Sequence, residues 1–298
     1  MLVNPNDIFM GQSFLRYGEC CEHEIQTLLQ FLSHPQRLPG MVVEVGSNMG
    51  VHTVPLGREL ARQGRSMLAF EPQPVIFQQL CANLALNGLM NVNALPYACS
   101  SQAGILFFDI PDYLNSGNFG GTALREKLAQ GSHLVTAATH AVPCYPLDDL
   151  VREEPVALIK IDVEGHELRA LQGAEQLLAR CHPILYVEND RIDQSPQLIE
   201  WLLMQGYRLW WHITRAFNPA NFLRNEQNIY GDVCLINMLC LHPSHKIALE
   251  GLPEISGPDD HPLVQASTGE HPIETFNPAA ADAAQTLEPA CTPYAAPR

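Results

Sequence analysis

Basic residues are scarce in this sequence. Seventeen Lys and Arg stand against 32 Asp and Glu, a formal net charge of −15 at pH 7, whereas phosphate contacts require a basic surface. No nucleic-acid partner is therefore expected. Part of the imbalance is local, since seven acidic residues but only one basic residue, Arg298, follow Gly251. No Cys-x-x-Cys pair occurs among the nine cysteines, which argues against a zinc site or a disulfide framework and predicts reduced thiols. The first ten residues lack the basic start and apolar run of a signal peptide. The longest apolar stretch, 233–241, contains Asn237 and is too short to span a bilayer. These absences predict a cytoplasmic protein with no membrane partner, and they leave oligomeric state open. Internal repeats are also lacking.

What is present suits a globular core: 46% of the 298 residues are hydrophobic and 16% charged. Ile25, Leu28, Leu29 and Leu32 recur at helical spacing within 22–32, inside an N-terminal helical segment, 1–40. Met41-Val42-Val43-Glu44-Val45 has the continuous apolar character of a buried parallel strand. A helix is predicted over 52–63, a strand over 66–70, a helix over 75–87 and a strand over 92–98. Residues 105–108 form a candidate extra strand, and the Asn/Gly-rich run 115–121 a loop able to act as a lid. The alternation resumes with strand 157–161, helix 167–178, strand 184–187 and helix 196–205, and 207–211 and 233–239 are candidate last strands. Such a pattern predicts an α/β domain over 41–251, a doubly wound and mostly parallel sheet with helices on both faces. Residues 252–298, rich in Pro, Ala and acid, are expected to form a disordered tail.

The strongest local signal is Glu44-Val45-Gly46-Ser47-Asn48-Met49-Gly50-Val51-His52-Thr53, a strand running through two glycines into a helix. Glycines there let a ligand approach the backbone closely. The G-x-x-x-G spacing lacks the denser dinucleotide fingerprint, and no Lys-Ser/Thr follows as in a phosphate loop, so a nicotinamide-dependent oxidoreductase fits poorly. Glu71, 25 residues after Gly46 and followed by Pro72, ends the second strand where an acid can accept from a ribose diol.

These runs, together with 80–93, Leu147-Asp148-Asp149-Leu150, 158–167, Leu171-Gln172-Gly173-Ala174 and 183–188, resemble the FkbM family of S-adenosylmethionine-dependent methyltransferases over roughly 11–243. The resemblance implies a class I methyltransferase (Rossmann-like) fold, with seven strands of which the last is antiparallel. It implies S-adenosylmethionine bound by Glu44, Gly46, Ser47, Asn48, Gly50, Thr53, Glu71, Pro72 and Asp162, and methylation of a hydroxyl on a small molecule, natural product or saccharide. The alternative within the same fold is a non-catalytic cofactor-binding protein. Asp162 and Glu188-Asn189 end adjacent strands, so Asp162, Glu188 and Asn189 are candidate ligands for a divalent cation such as Mg. His166 is the first candidate general base and His212 the second, with Asp162 beside the reacting atoms.

Overall fold

Strands covered on both faces read as unbroken apolar runs, and the runs of this sequence occupy the middle of one sheet. The computed structural model describes residues 1–126, 139–247, 249 and 251–264. In chain order the strands are β1 (Met41–Val45), β2 (Met67–Phe70), β3 (Val92–Leu95), β4 (Ala98–Cys99), β5 (Gly104–Asp109), β6 (Thr139–Tyr145), β7 (Val156–Ile161), β8 (Ile184–Glu188), β9 (Arg208–Arg215) and β10 (Cys234–Leu241). The helices are α1 (Met10–Tyr17), α2 (Glu22–Ser33), α3 (Thr53–Arg62), α4 (Pro74–Leu86), α5 (Leu147–Leu150), α6 (Glu167–Gln172), α7 (Glu175–Cys181) and α8 (Ser195–Met204).

Seven strands form the main sheet in the order β3-β2-β1-β7-β8-β10-β9. All neighbours are parallel except β10, antiparallel to both β8 and β9. Strand order reverses between β1 and β7, and the crevice beyond their carboxyl ends is where such sheets bind ligands. Every residue of β7 is buried, including Lys160 at 1% exposure. Register sets Lys160 beside Glu44 of β1.

Three elements differ from expectation. The predicted third strand, 92–98, splits at Pro96-Tyr97: β3 stays in the main sheet, while β4 joins β6 and β5 in a second sheet of three strands. The helix predicted over 167–178 breaks into α6 and α7 at Ala174, φ −122, and Asp148 accepts the Gln176 and Leu177 N–H groups at the start of α7; Gly173 beside the break passes so close to Ser100 that a Cβ would lie 2.1 Å from its carbonyl oxygen. The boundary expected at 251 also falls too early. The backbone N–H of Trp211 donates to the Pro253 carbonyl, and that of Ile255 to the Leu209 carbonyl. Arg208 forks onto Glu254 at 2.9 and 3.0 Å, and Ile255 and His261 are buried. An apolar residue and a bidentate ion pair anchor this stretch, so the first unit runs to His261. Of the second, 262–298, only 262–264 lie among the described residues; most of the expected tail is outside them.

Candidate active site

The crevice at the β1/β7 reversal is a cleft bordered by Gly46, Asn48, Glu71, Pro72 and Asp162, and by Glu24, His52, Glu164 and Glu188. Gly46 has φ +83, and a Cβ there would lie 1.8 Å from the Asp162 carbonyl oxygen, so only glycine lets the β1 loop pass the end of β7. The loop folds back on β2, with the Gly46 and Ser47 N–H groups donating to the Phe70 carbonyl. Asn48, at φ +47, holds the turn by accepting the Met49 N–H through Oδ1 at 2.7 Å.

Glu71 is fixed by two backbone donors, Asn48 N–H at 2.9 Å and Gln73 N–H at 2.8 Å. Burial outweighs those amides and pushes its carboxyl up to about 7. Of the other residues expected to touch cofactor, Glu44, Ser47, Gly50 and Thr53 stand behind the cleft. Thr53 donates to Glu44 Oε2 at 2.6 Å, and Glu44 Oε1 is buried with no partner. Burial raises the Glu44 carboxyl, opposed by Lys160. These four shape the loop from beneath.

Lys160, which the sequence reading passed over, sits at the centre of the charge network. Its ammonium donates to Asp162 Oδ2 at 3.0 Å. Burial would lower its pKa, but Asp162, Glu44 and Glu24 outweigh burial and keep it charged. Burial likewise opposes the charge on Asp162, and Lys160 reverses that balance to lower its pKa. Glu188 Oε2 is buried without a partner, and burial plus the neighbouring Asp162 push this carboxyl well above its usual range. The two shifts run in opposite directions, Lys160 favouring the ionised form of Asp162 while burial and Asp162 favour the neutral form of Glu188.

The expected cation set is only partly assembled. Asp162 and Glu188 meet, with ligating atoms within 4.8 Å, but their third partner is Glu164. Asn189 turns away, donating through Nδ2 to Ser195 Oγ at 2.9 Å and approaching Met238 Sδ at 3.2 Å. Lys160 pairs with Asp162, and Arg191 pairs with Glu164 at 2.7 Å. Two of the three carboxylates, Asp162 and Glu164, already have cationic partners.

Neither expected base reaches the cleft. His166 borders a neighbouring cavity with Arg169 and Gln194, its Nε2 3.0 Å from Ser100 Oγ. Burial, then Arg169, lowers its pKa to about 4. His212 lies between Tyr186 OH, 2.7 Å from Nδ1, and Thr27 Oγ1, 3.3 Å from Nε2; burial lowers its pKa. His212 thus has a hydroxyl partner on each ring nitrogen and His166 on one. The histidine that does line the cleft is His52, whose Nε2 is 3.0 Å from Glu24 Oε2. Its place two residues after Gly50 was the available signal. Glu24 had none, because only tertiary packing brings α2 to the loop.

The candidate lid, 115–121, is tied down at several points. Gly117 exchanges backbone bonds with Asn6 and Ile8, and the Phe119 carbonyl accepts from Gln73 Nε2 at 3.0 Å. Asn118 and Gly120 border the cleft.

The strand order, its reversal point and the glycine loop define a class I methyltransferase fold. The family profile described as the methyltransferase FkbM domain matches residues 44–209, and the chain belongs to that family. It is 31% identical over 158 residues to methyltransferase sdnD of Sordaria araneosa, a match covering 45% of this chain and 60% of that protein. It is 28% identical over 202 residues to the hexuronic acid methyltransferase AglP of Haloferax volcanii, covering 66% of this chain and 75% of AglP. The crystal structure of methyltransferase FkbM from Methylobacillus flagellatus superposes with a TM-score of 0.42 at 17% identity, over 66% of this chain and 43% of that one. Among the described residues no helix is long and apolar enough to cross a membrane.

Proposed function

We propose that this chain is an S-adenosylmethionine-dependent O-methyltransferase acting on a hydroxyl of a saccharide or other small molecule. One observation carries the reading. At the β1/β7 reversal Gly46 leaves no room for a side chain, while the Glu71 carboxylate, held by two loop amides, borders the same cleft. Glu71 would accept from the ribose hydroxyls, with Asn48 and Pro72 beside it. Asp162 and the orphaned oxygen of Glu188 would meet the cationic methionyl end. The cofactor supplies an activated methyl group, and the chain's work is alignment of the acceptor oxygen, which can be worth about 7–11 kcal/mol. AglP, a relative that acts on a hexuronic acid, supports a saccharide acceptor.

The test is production of S-adenosylhomocysteine from S-adenosylmethionine across a panel of sugars, uronic acids and phenols. Turnover on a hydroxylated acceptor supports the assignment. Binding of S-adenosylhomocysteine with no turnover on any acceptor favours a non-catalytic cofactor-binding protein.

A further inference from the structure

Cys21, Glu24 and His52 border the same cleft, yet alignment of cofactor and acceptor asks nothing of them. They converge for a local reason. Cys21 is the N-cap of α2, with a left-handed φ of 55, and Glu24 follows three residues later, a spacing that turns both side chains to one side of the helix start. His52 is the N-cap of α3, the helix packed against α2. One ligating atom from each residue lies within 4.8 Å of the others.

We propose that Cys21, Glu24 and His52 bind a zinc-class divalent ion, leaving a fourth position open to the cleft for a water or hydroxyl oxygen. The ligand types support it: thiolate, imidazole and carboxylate are the donors zinc takes, and three protein ligands with one open position is the pattern of a catalytic rather than a structural site. In tetrahedral zinc, ligand atoms stand roughly 3.4 Å apart. The His52–Glu24 separation is 3.0 Å and the Cys21 sulfur lies within 4.8 Å of both ligand atoms, so the three side chains converge and Cys21 has the larger distance to close. Cys21 Sγ lies 3.4 Å from Cys20 Sγ, and that contact and burial favour the protonated thiol, so the ion displaces its proton to solvent; one thiolate, one carboxylate, a neutral imidazole and a dication then sum to zero. The second oxygen of Glu24 is already oriented, accepting from Asn237 Nδ2 at 2.9 Å and Thr214 Oγ1 at 3.4 Å, as outer partners orient metal ligands. The Lys160 ammonium is hydrogen-bonded to Asp162 rather than to Glu24. The proposed site departs from the expectation drawn from the lack of Cys-x-x-Cys, because its ligands come from Cys-x-x-Glu and a remote His. The site itself stands independently of methyl transfer. Its role rests on the reading above: an ion in that position makes an acceptor hydroxyl easier to ionise.

The experiment strips the full chain with chelator, keeps it in a non-thiol reductant and titrates it with cobalt(II). Expected are one cobalt per chain, a near-ultraviolet thiolate-to-cobalt band and visible bands of tetrahedral coordination, all displaced by zinc. Cys21→Ser removes the near-ultraviolet band, and Glu24→Gln weakens binding about tenfold or more. Cys81→Ser, at an exposed thiol, changes neither. If the variants fold poorly, X-ray absorption of the zinc-loaded wild type decides, with one sulfur and two protein nitrogen or oxygen ligands expected. No band, a band that survives in Cys21→Ser, or a shell without sulfur overturns the proposal. S-adenosylhomocysteine titrated into the stripped chain separates the two readings: binding without the cobalt band sinks only the metal site, and the band without binding sinks only the cofactor assignment.

Discussion

If Glu71 accepts from the ribose of the cofactor, affinity must depend on pH in a particular direction. In the free protein burial holds this carboxyl near 7, so at pH 6 about 90% of molecules carry a proton where the ligand needs an acceptor, and at pH 8 about 10% do. Ribose hydroxyls donate to the ionised form, so binding depresses the pKa and releases a proton. Affinity is full above pH 7 and is lost as pH falls through it. The expected loss from pH 8 to pH 6 is roughly ninefold, about 1.3 kcal/mol. Glu164 also titrates near 7, raised by burial and Asp162, so it supplies the control. Calorimetric titration with S-adenosylhomocysteine across pH 6–8 should give a sloping profile for the wild type and for Glu164→Gln. For Glu71→Gln it should give a flat one, more than tenfold weaker at pH 8. A flat wild-type profile, or an unchanged slope in Glu71→Gln, would refute the ribose assignment.

Other expectations follow from the same geometry. Gly46→Ala puts a methyl against the Asp162 carbonyl at positive φ and should lower stability by about 3 kcal/mol or more in urea melts. Asp162→Asn leaves the buried Lys160 ammonium without its bonded partner and should cost about 3–5 kcal/mol, whereas Glu188→Gln, at a carboxyl that burial and Asp162 push toward its neutral form, should cost less than about 1 kcal/mol in the same melts. Because the folded pKa values of Glu71 and Glu164 are raised to about 7 from 4.5, the folded chain binds more protons than the unfolded one between those values. The unliganded protein should therefore lose roughly 1–2 kcal/mol between pH 6.5 and pH 8. His212→Phe, away from the cleft, should lower the melting temperature and leave S-adenosylhomocysteine affinity within about threefold.

Most of the fold was legible because a doubly wound sheet repeats one signal, an apolar strand followed by an amphipathic helix. The β1 strand matched its predicted bounds, Met41–Val45. The failures came where tertiary contact overrides a continuous pattern, as when Asp148 caps the start of α7 within a helix that periodicity draws through. At the site, the glycines and Glu71 were visible because backbone demands restrict residue type. Lys160 left a trace, a lone charge inside the run Ala157–Ile161, that the strand pattern concealed. His166 and His212 looked reactive as letters, but Ser100 meets one ring nitrogen of His166, and Tyr186 and Thr27 meet both of His212. The role of Glu24 depends on α2 packing against α3, a contact between segments that no spacing rule connects.

The central claim is that the cleft beyond β1 and β2 accepts an adenosyl thioether. Calorimetric titration of the purified full chain at pH 8 with S-adenosylhomocysteine tests it directly. One saturable site per chain, weakened more than tenfold by Glu71→Gln, is the predicted result; folded protein that takes up none of the compound would contradict the account.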